Sequence, residues 1–177
     1  MAVKRSTGHG GDSFSNAYRV WLLVLTVCVG AFGFIDRIVI STLGEAIKRD
    51  LALSDFQLGI LGGLSFAILY STIGLPIARL AERKSRITII SVSIGLFSIA
   101  TVLCGFAPSF WQLFLLRIGV GIGEAGVQAP VASLLTDHFR RERRGTVMTI
   151  MKLGSPLGSV IGALSAGWIG THYGWRA

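Results

Sequence analysis

The stretch LLRIGVGIGEAGVQAP, Leu115 to Pro130, decides what kind of protein this is. Gly121, Gly123 and Gly126 stand in the spacing G-x-G-x-x-G of a dinucleotide-binding turn. That turn needs a strand before it and an amphipathic helix after it, in a water-soluble unit. Here the glycines lie inside an apolar run that begins near Phe110, so the nucleotide reading fails. The same stretch reads better as a membrane-spanning helix with one polar stripe. Arg117, Gly121, Glu124 and Gln128 are spaced by four, three and four, which puts them on one helix face.

The rest of the chain agrees with a membrane setting. Of 177 residues, 51% are hydrophobic and 15% are charged, where a soluble domain carries about a quarter charged residues. Mean hydropathy is +0.65. The apolar residues come in runs of roughly 20, the length that crosses about 30 Å of hydrocarbon at 1.5 Å per residue. Five spans are expected, over 18–44, 56–80, 87–106, 110–137 and 145–170. All are helical, because a lone helix satisfies its own backbone hydrogen bonds in lipid. The fold class is therefore an all-α membrane protein. Residues 1–17, rich in Gly and Ser, read as a disordered tail. The first apolar run is too long for a signal peptide and lacks a cleavage site, so the first helix is retained. The connector APSF, Ala107 to Phe110, is short enough to make the third and fourth spans antiparallel neighbours.

The net charge of +8 invites a nucleic-acid reading, but the positions of the charges exclude it. The arginines cluster between apolar runs, at 79–86 and 140–144. Lys4, Arg5 and Arg19 fall on the same side of the membrane as those clusters. The opposite side holds only Lys48, Arg49 and Arg176. Loops rich in Lys and Arg stay in the cytoplasm, so the N-terminus is expected there; the membrane expected is a bacterial inner (plasma) membrane. Cys28 and Cys104 lie inside apolar runs and read as small buried hydrophobes, without disulfide or metal spacing. His9, His138 and His172 lie outside the spans. No nucleophile–base pair, cofactor motif or metal cluster is present in the sequence, and an enzyme is not expected.

Charges inside the spans are the chemistry that remains. GFIDRIVI, Gly33 to Ile40, places Asp36 and Arg37 side by side in the first span. Each charge at a helix centre costs about 2.5–3.5 kcal/mol on insertion scales. Such residues face a bundle interior or a water-filled path. Neighbours on a helix point about 100° apart, so Asp36 and Arg37 do not face each other. Each needs a partner on another helix. The fourth span offers Glu124 for Arg37, with Asp36 or a substrate anion sharing that site. Arg117, Gln128 and Lys152 are candidates to line the same cavity. A purely structural ion pair is the alternative.

Two stripes of small residues recur every four positions. The second span has Gly59, Gly63, Ala67 and Ser71; the fifth has Gly154, Gly158, Gly162, Ala166 and Gly170. Small stripes let helix backbones approach closely in lipid. Pro76, Pro130 and Pro156 lie within spans, where each removes a donor and tends to kink its helix.

At this point the residues resemble the major facilitator superfamily. RLAERKSR, Arg79 to Arg86, resembles its loop motif G-x-L-A-D-R-x-G-R-R, with Leu80, Ala81, Arg83 and Arg86 matching and Glu82 in the place of Asp. RIGVGIG, Arg117 to Gly123, resembles the fourth-helix motif R-x-x-x-G-x-G, and RRERRGT and YGWR are also typical. Asp36-Arg37 together with GEAG, Gly123 to Gly126, is most similar to the spinster-like subfamily. The Asp-Arg pair also occurs in the anion–cation symporter subfamily. GSPLG, Gly154 to Gly158, is only loosely similar to the antiporter motif of the fifth helix.

The resemblance implies a secondary active transporter with two six-helix bundles rocking about a central site. This chain would supply about five of the transporter's twelve helices, all in the first bundle, and stop before the sixth. Its partners would be the bilayer, protons, a small organic or lipid-like anion and the remaining half of the transporter, with no nucleic acid. On that view the chain by itself does not transport. The resemblance also implies that the second and fifth helices face the other half, which would give the small-residue stripes their partner. The intramembrane charges then read as the proton and substrate site, with Asp36 and Glu124 as proton-responsive carboxylates and Arg37 as their partner and substrate anchor. Glu82, Arg83, Arg86 and Arg144 become a charge latch at the cytoplasmic face. A non-transporting scaffold is the competing class; seven further apolar spans downstream would exclude it.

Overall fold

The computed structural model describes residues 15–64, 72–74, 76–77, 79–80 and 85–176. The N-terminal tail, Ala67 and Ser71 of the second span, and Glu82 and Arg83 lie outside the described residues. The described residues form helices and turns and no strand.

Helix α1, Asn16–Asp50, starts where the Ser15 hydroxyl accepts from the Ala17 amide at 3.3 Å. Its 35 residues span about 52 Å at 1.5 Å each. That exceeds the hydrocarbon thickness, so its last turns, with Lys48, Arg49 and Asp50, belong outside it. The chain turns through Leu51 and Ala52, the latter at φ 50°, and the Leu53 amide returns to the Lys48 carbonyl at 2.9 Å. Helix α2, Asp55–Gly59, is started by a reciprocal cap in which Ser54 and Gln57 each bond the other's backbone. It runs into a π-helical turn at Ile60–Leu64.

Helix α3 spans Arg86–Cys104 and α4 spans Phe110–His138, the latter capped by the Ser109 hydroxyl. A 3₁₀ turn, Arg141–Arg143, leads into α5, Arg144–Lys152, and α6, Gly154–His172. The expected fifth span is thus broken at Leu153. Pro156 is the physical reason: it has no N–H for the Lys152 carbonyl, and its ring crowds that carbonyl. Among the described residues, four stretches are long and apolar enough to cross a membrane: α1, α3, α4 and residues 141–172.

Two backbone approaches organise the bundle. Helix α6 lies along α1 through the small stripe of the fifth span. A methyl added at Gly154 would sit 2.5 Å from the Val27 carbonyl oxygen, and one at Gly162 would sit 3.0 Å from Ile35 Cα. At Gly158 it would strike the Ala31 carbonyl. Gly154, Gly158, Gly162 and Ala166 are all buried. This corrects the expectation that the fifth-helix stripe awaits the other half of a transporter: α1 of the same chain occupies it. Gly59 and Gly63 of the second stripe have no neighbour within 4 Å of such a methyl. The second approach joins α3 and α4, where a methyl on Gly123 would meet the Phe97 amide nitrogen at 2.7 Å.

Two apolar clusters fill the bundle. One gathers Ile40 and Ile47 of α1 with Ala100, Cys104, Leu113 and Val120. The other gathers Val127, Val131 and Leu135 of α4 with Val147 of α5. Outside them, Trp21, Phe32, Ile99, Trp111, Leu164 and Trp168 are exposed, an apolar surface far too extensive for water and suited to lipid. Cys28 is exposed on this surface rather than buried. A membrane helix has no need to bury an apolar residue within its own chain, because lipid solvates it.

The two ends of the bundle differ in charge. At one end Arg86 of α3 pairs with Asp137 of α4, and the Arg144 guanidinium donates to the Phe139 carbonyl at 3.3 Å. At the other, Arg176 pairs with Asp50 and donates to the Ala107 carbonyl at 3.1 Å, while the Trp175 indole donates to Asp50 at 3.2 Å. One short segment after α6 thereby ties the end of α1 to the α3–α4 turn.

Candidate functional site

Between the two apolar clusters, α1 and α4 exchange two ion pairs. The order along each helix fixes the place: Asp36 and Arg37 lie between Val29 and Ile40, and Glu124 lies between Val120 and Val127. Arg37 donates to Glu124 through both Nη2, at 2.6 Å, and Nε, at 3.3 Å. Arg117 Nη1 donates to Asp36 at 2.6 Å, and the Thr101 hydroxyl of α3 adds a longer bond of 3.4 Å to the same carboxylate. The neighbours Asp36 and Arg37 thus bond to residues seven apart on α4.

This arrangement changes one expectation. Asp36 does not share the Arg37–Glu124 position, because Arg117 has already taken it. Arg117 is also not a lining residue of the cavity beside Glu124; its side chain is 4% exposed and committed to Asp36. Desolvation is the reason. A guanidinium buried in the bundle without a carboxylate would cost several kcal/mol, and Asp36 is the acid within reach.

Burial separates the four charges into an inner and an outer set. Side-chain exposure is 4% for Arg117, 9% for Asp36 and 6% for Glu124, but 34% for Arg37. Arg37 is the outermost member of the set. Its guanidinium also lies over the Phe34 ring at 5.2 Å from the centroid, a favourable cation–π placement.

Gly33, one turn before Arg37, makes room for Glu124. A methyl there would stand 3.2 Å from Glu124 Oε1. Glu124 and Gly33 both border a cavity of about 320 Å³, lined also by Phe32, Phe97, Ser98, Val127 and Gln128. The lining is mostly apolar, with Glu124, Gln128 and Ser98 as its polar points. Lys152 is exposed at the end of α5 and does not border this cavity.

The latch residues separate as well. Arg86 bonds Asp137, and Arg144 bonds the end of α4; Glu82 and Arg83 lie outside the described residues. Sequence reasoning missed Asp137 as the partner of Arg86, Thr101 as a donor to Asp36, and Gly33 as the seat of Glu124. One available signal was depth. Counted from the same membrane face, Asp36 is about 12 Å from the end of a span closing at 44, and Arg117 about 10 Å from one opening at 110. That near-match pairs them. Among the described residues no cluster of His, Cys, Asp and Glu is suited to a metal.

Comparison with known proteins agrees with this architecture. Residues 23–177 match the family model of the Major Facilitator Superfamily. An MFS-type efflux pump of Mycolicibacterium smegmatis is 34% identical over 159 residues, covering 89% of this chain and 37% of that protein. A probable sphingolipid transporter, spinster homolog 3 of Arabidopsis thaliana, is 28% identical, covering 93% of this chain and 34% of that protein. The crystal structure of a bacterial homolog to the human lysosomal transporter Spinster, inward-facing and occupied, superimposes with a TM-score of 0.85. The identity is 39%, over 89% of this chain and 34% of that one. The chain therefore spans about a third of the length of the relatives it matches. Its helices, its paired intramembrane charges and these matches make it an integral membrane protein of the major facilitator superfamily, similar to the spinster proteins.

Proposed function

We propose that this chain forms part of a proton-coupled secondary transporter that moves a small organic or lipid-like anion by alternating access. The observation that carries the reading is the Arg37–Glu124 pair, whose base is a third exposed while its acid is buried. An incoming anion competes for the outer guanidinium. Glu124 then stands as a buried charge without its counter-ion, which is strongly unfavourable. Taking up a proton relieves it. Desolvation favours the neutral carboxyl and a guanidinium favours the charged one, so anion binding and proton binding become linked. Asp36 is the second carboxylate of this set, held by Arg117 until the bundle rearranges.

The mostly apolar cavity beside Glu124 suits a ligand with an apolar body. The names of the relatives, an efflux pump and a probable sphingolipid transporter, are compatible with such a cargo. Arg86, Arg144, Glu82 and Arg83 serve as a latch on the cytoplasmic side. The concentration of arginine at the end of the bundle that holds Arg19, Arg86 and Arg144 supports a cytoplasmic N-terminus.

A binding assay tests the anion site. Amphipathic carboxylates and phosphates are screened by thermal shift against the wild type, Arg37→Lys and Arg37→Gln in the intact transporter. The ligand that shifts the wild type should shift Arg37→Lys less and Arg37→Gln not at all. Equal shifts in all three would contradict the proposal.

A further inference from the structure

At the end of the bundle away from Arg86 and Arg144, the chain folds back over its own helices. Gly174 takes φ 83° just after α6, a left-handed backbone that glycine adopts without strain. That turn brings Trp175 and Arg176 across the bundle end. Trp175 packs against the apolar cluster that joins α1, α3 and α4, and its indole donates to Asp50 at 3.2 Å. The Arg176 guanidinium lies 4.1 Å from the centroid of the Trp175 ring. One of its nitrogens bonds Asp50, the last residue of α1, and another donates to the Ala107 carbonyl in the α3–α4 turn at 3.1 Å. Gly105 supplies the seat: a methyl there would stand 3.4 Å from the Arg176 carbonyl oxygen.

These contacts are not needed to end α6. The Tyr173 amide already returns to the Ile169 carbonyl at 2.8 Å, so the helix is closed before Trp175 begins. What the segment does is cover something. The cluster under Trp175 includes Ala107, 1% exposed, and Cys104, 8% exposed. Three residues deeper in α3, about 4.5 Å along the axis, Thr101 donates to Asp36, the buried partner of Arg117. Ala107, Cys104 and Thr101 thus lead from the bundle end to the inner ion pair. The cover is also lightly fastened. The side chains of Asp50 and Arg176 are 45% and 40% exposed, and an exposed ion pair holds little by itself. Trp175 is its apolar anchor.

We propose that Trp175 and Arg176 form a strap that closes this end of the bundle over the buried Asp36–Arg117 pair, and that its release opens a path for solvent along α3 to that pair. When the strap is closed, the pair stays in a low-dielectric setting. When it opens, solvent meets Cys104 first and Asp36 next. The strap stands independently of whether Glu124 carries the coupled proton.

Cys104 is a native reporter of the strap. In the intact transporter, with every other cysteine replaced by serine, the rate at which a polar maleimide modifies Cys104 is measured in detergent at one fixed pH. A buried thiol reacts from the open fraction of molecules. Trp175→Ala removes the anchor and should raise the rate about tenfold or more. Asp50→Ala frees both donors and should raise it about threefold or more, because the exposed pair holds less than the ring. Arg176→Lys keeps a charge for Asp50 without the fork that also reaches Ala107, and should fall between wild type and Asp50→Ala. If Trp175→Ala does not fold, these two variants carry the test. Gly158→Ala, which disturbs α1 against α6 far from the strap, should change the rate less than about twofold even if it lowers the melting temperature. Equal rates in wild type, Asp50→Ala and Trp175→Ala would overturn the proposal. So would a rise in Gly158→Ala as large as that in Trp175→Ala, or a wild-type Cys104 that reacts as fast as in detergent-denatured protein.

Discussion

Arg37 holds Glu124 across the bundle with two hydrogen bonds, and it does so from a position a third exposed while Glu124 is 6% exposed. The pair is therefore asymmetric: its base lies toward the bundle surface and its acid is buried. The neighbouring pair, Asp36 with Arg117, is buried on both sides. The two pairs invite different roles, one that changes partners and one that holds the helices in register.

That difference appears in stability. Arg117→Ala leaves Asp36 buried without its charge partner, at a cost of about 3–5 kcal/mol. At 2–4 °C per kcal/mol for a chain of this size, the melting temperature should fall by on the order of 10 °C. Arg37→Ala should cost less, because Arg37 is a third exposed and Glu124 loses a less buried partner than Asp36 does. Thermal unfolding in detergent, followed by size-exclusion chromatography, orders the two variants. Equal losses would remove the distinction between the inner and outer pair.

The stripe on α6 makes a sharper prediction. Gly158→Ala adds a methyl that runs into the Ala31 carbonyl, and overpacking of this kind costs about 1–3 kcal/mol. Gly167→Ala on the same helix meets nothing within 4 Å and should be neutral or gain up to about 1 kcal/mol in helix propensity. Melting temperatures of the two variants check this directly. A Gly158→Ala protein as stable as wild type would mean that α1 and α6 are not so closely apposed.

Gly33 should separate function from stability. Gly33→Ala places a methyl 3.2 Å from Glu124 Oε1, so the carboxylate must shift by a few tenths of an ångström against Arg37. The expected outcome is a severalfold loss of substrate transport with a change in melting temperature of about 2 °C or less, since the shift costs under about 1 kcal/mol. Parallel transport and unfolding measurements decide it. A large stability loss with normal transport per folded molecule would reverse the assignment.

The sequence made the helical membrane fold legible because its signal is coarse and repeated: runs of the right length, separated by short charged connectors. The polar face of α4 was legible for the same reason, since Arg117, Glu124 and Gln128 stand out from an apolar helix. Periodicity could say that Asp36 and Arg37 diverge. It could not say which acid meets which base, because pairing depends on relative depth and tilt. The α6 stripe shows a deeper limit. Spacing by four establishes that a helix packs closely, but the stripe carries no mark of its partner. Helix α1 is the neighbour, and its complementary surface is backbone at Val27, Ala31 and Ile35 rather than a matching pattern of side chains. The seat at Gly33 and the Thr101 contact were invisible because one glycine and one threonine in apolar helices look like many others.

The central claim is that proton binding at Glu124 is linked to anion binding at Arg37, and the Glu124→Gln variant tests it most directly. The intact transporter is reconstituted in proteoliposomes, and substrate movement is measured with and without an imposed pH gradient. Gln keeps the size and a hydrogen-bond acceptor for Arg37 but does not titrate. The variant should retain exchange of substrate down its own gradient and lose the stimulation by the pH gradient. Unchanged pH-driven transport in Glu124→Gln would contradict the account.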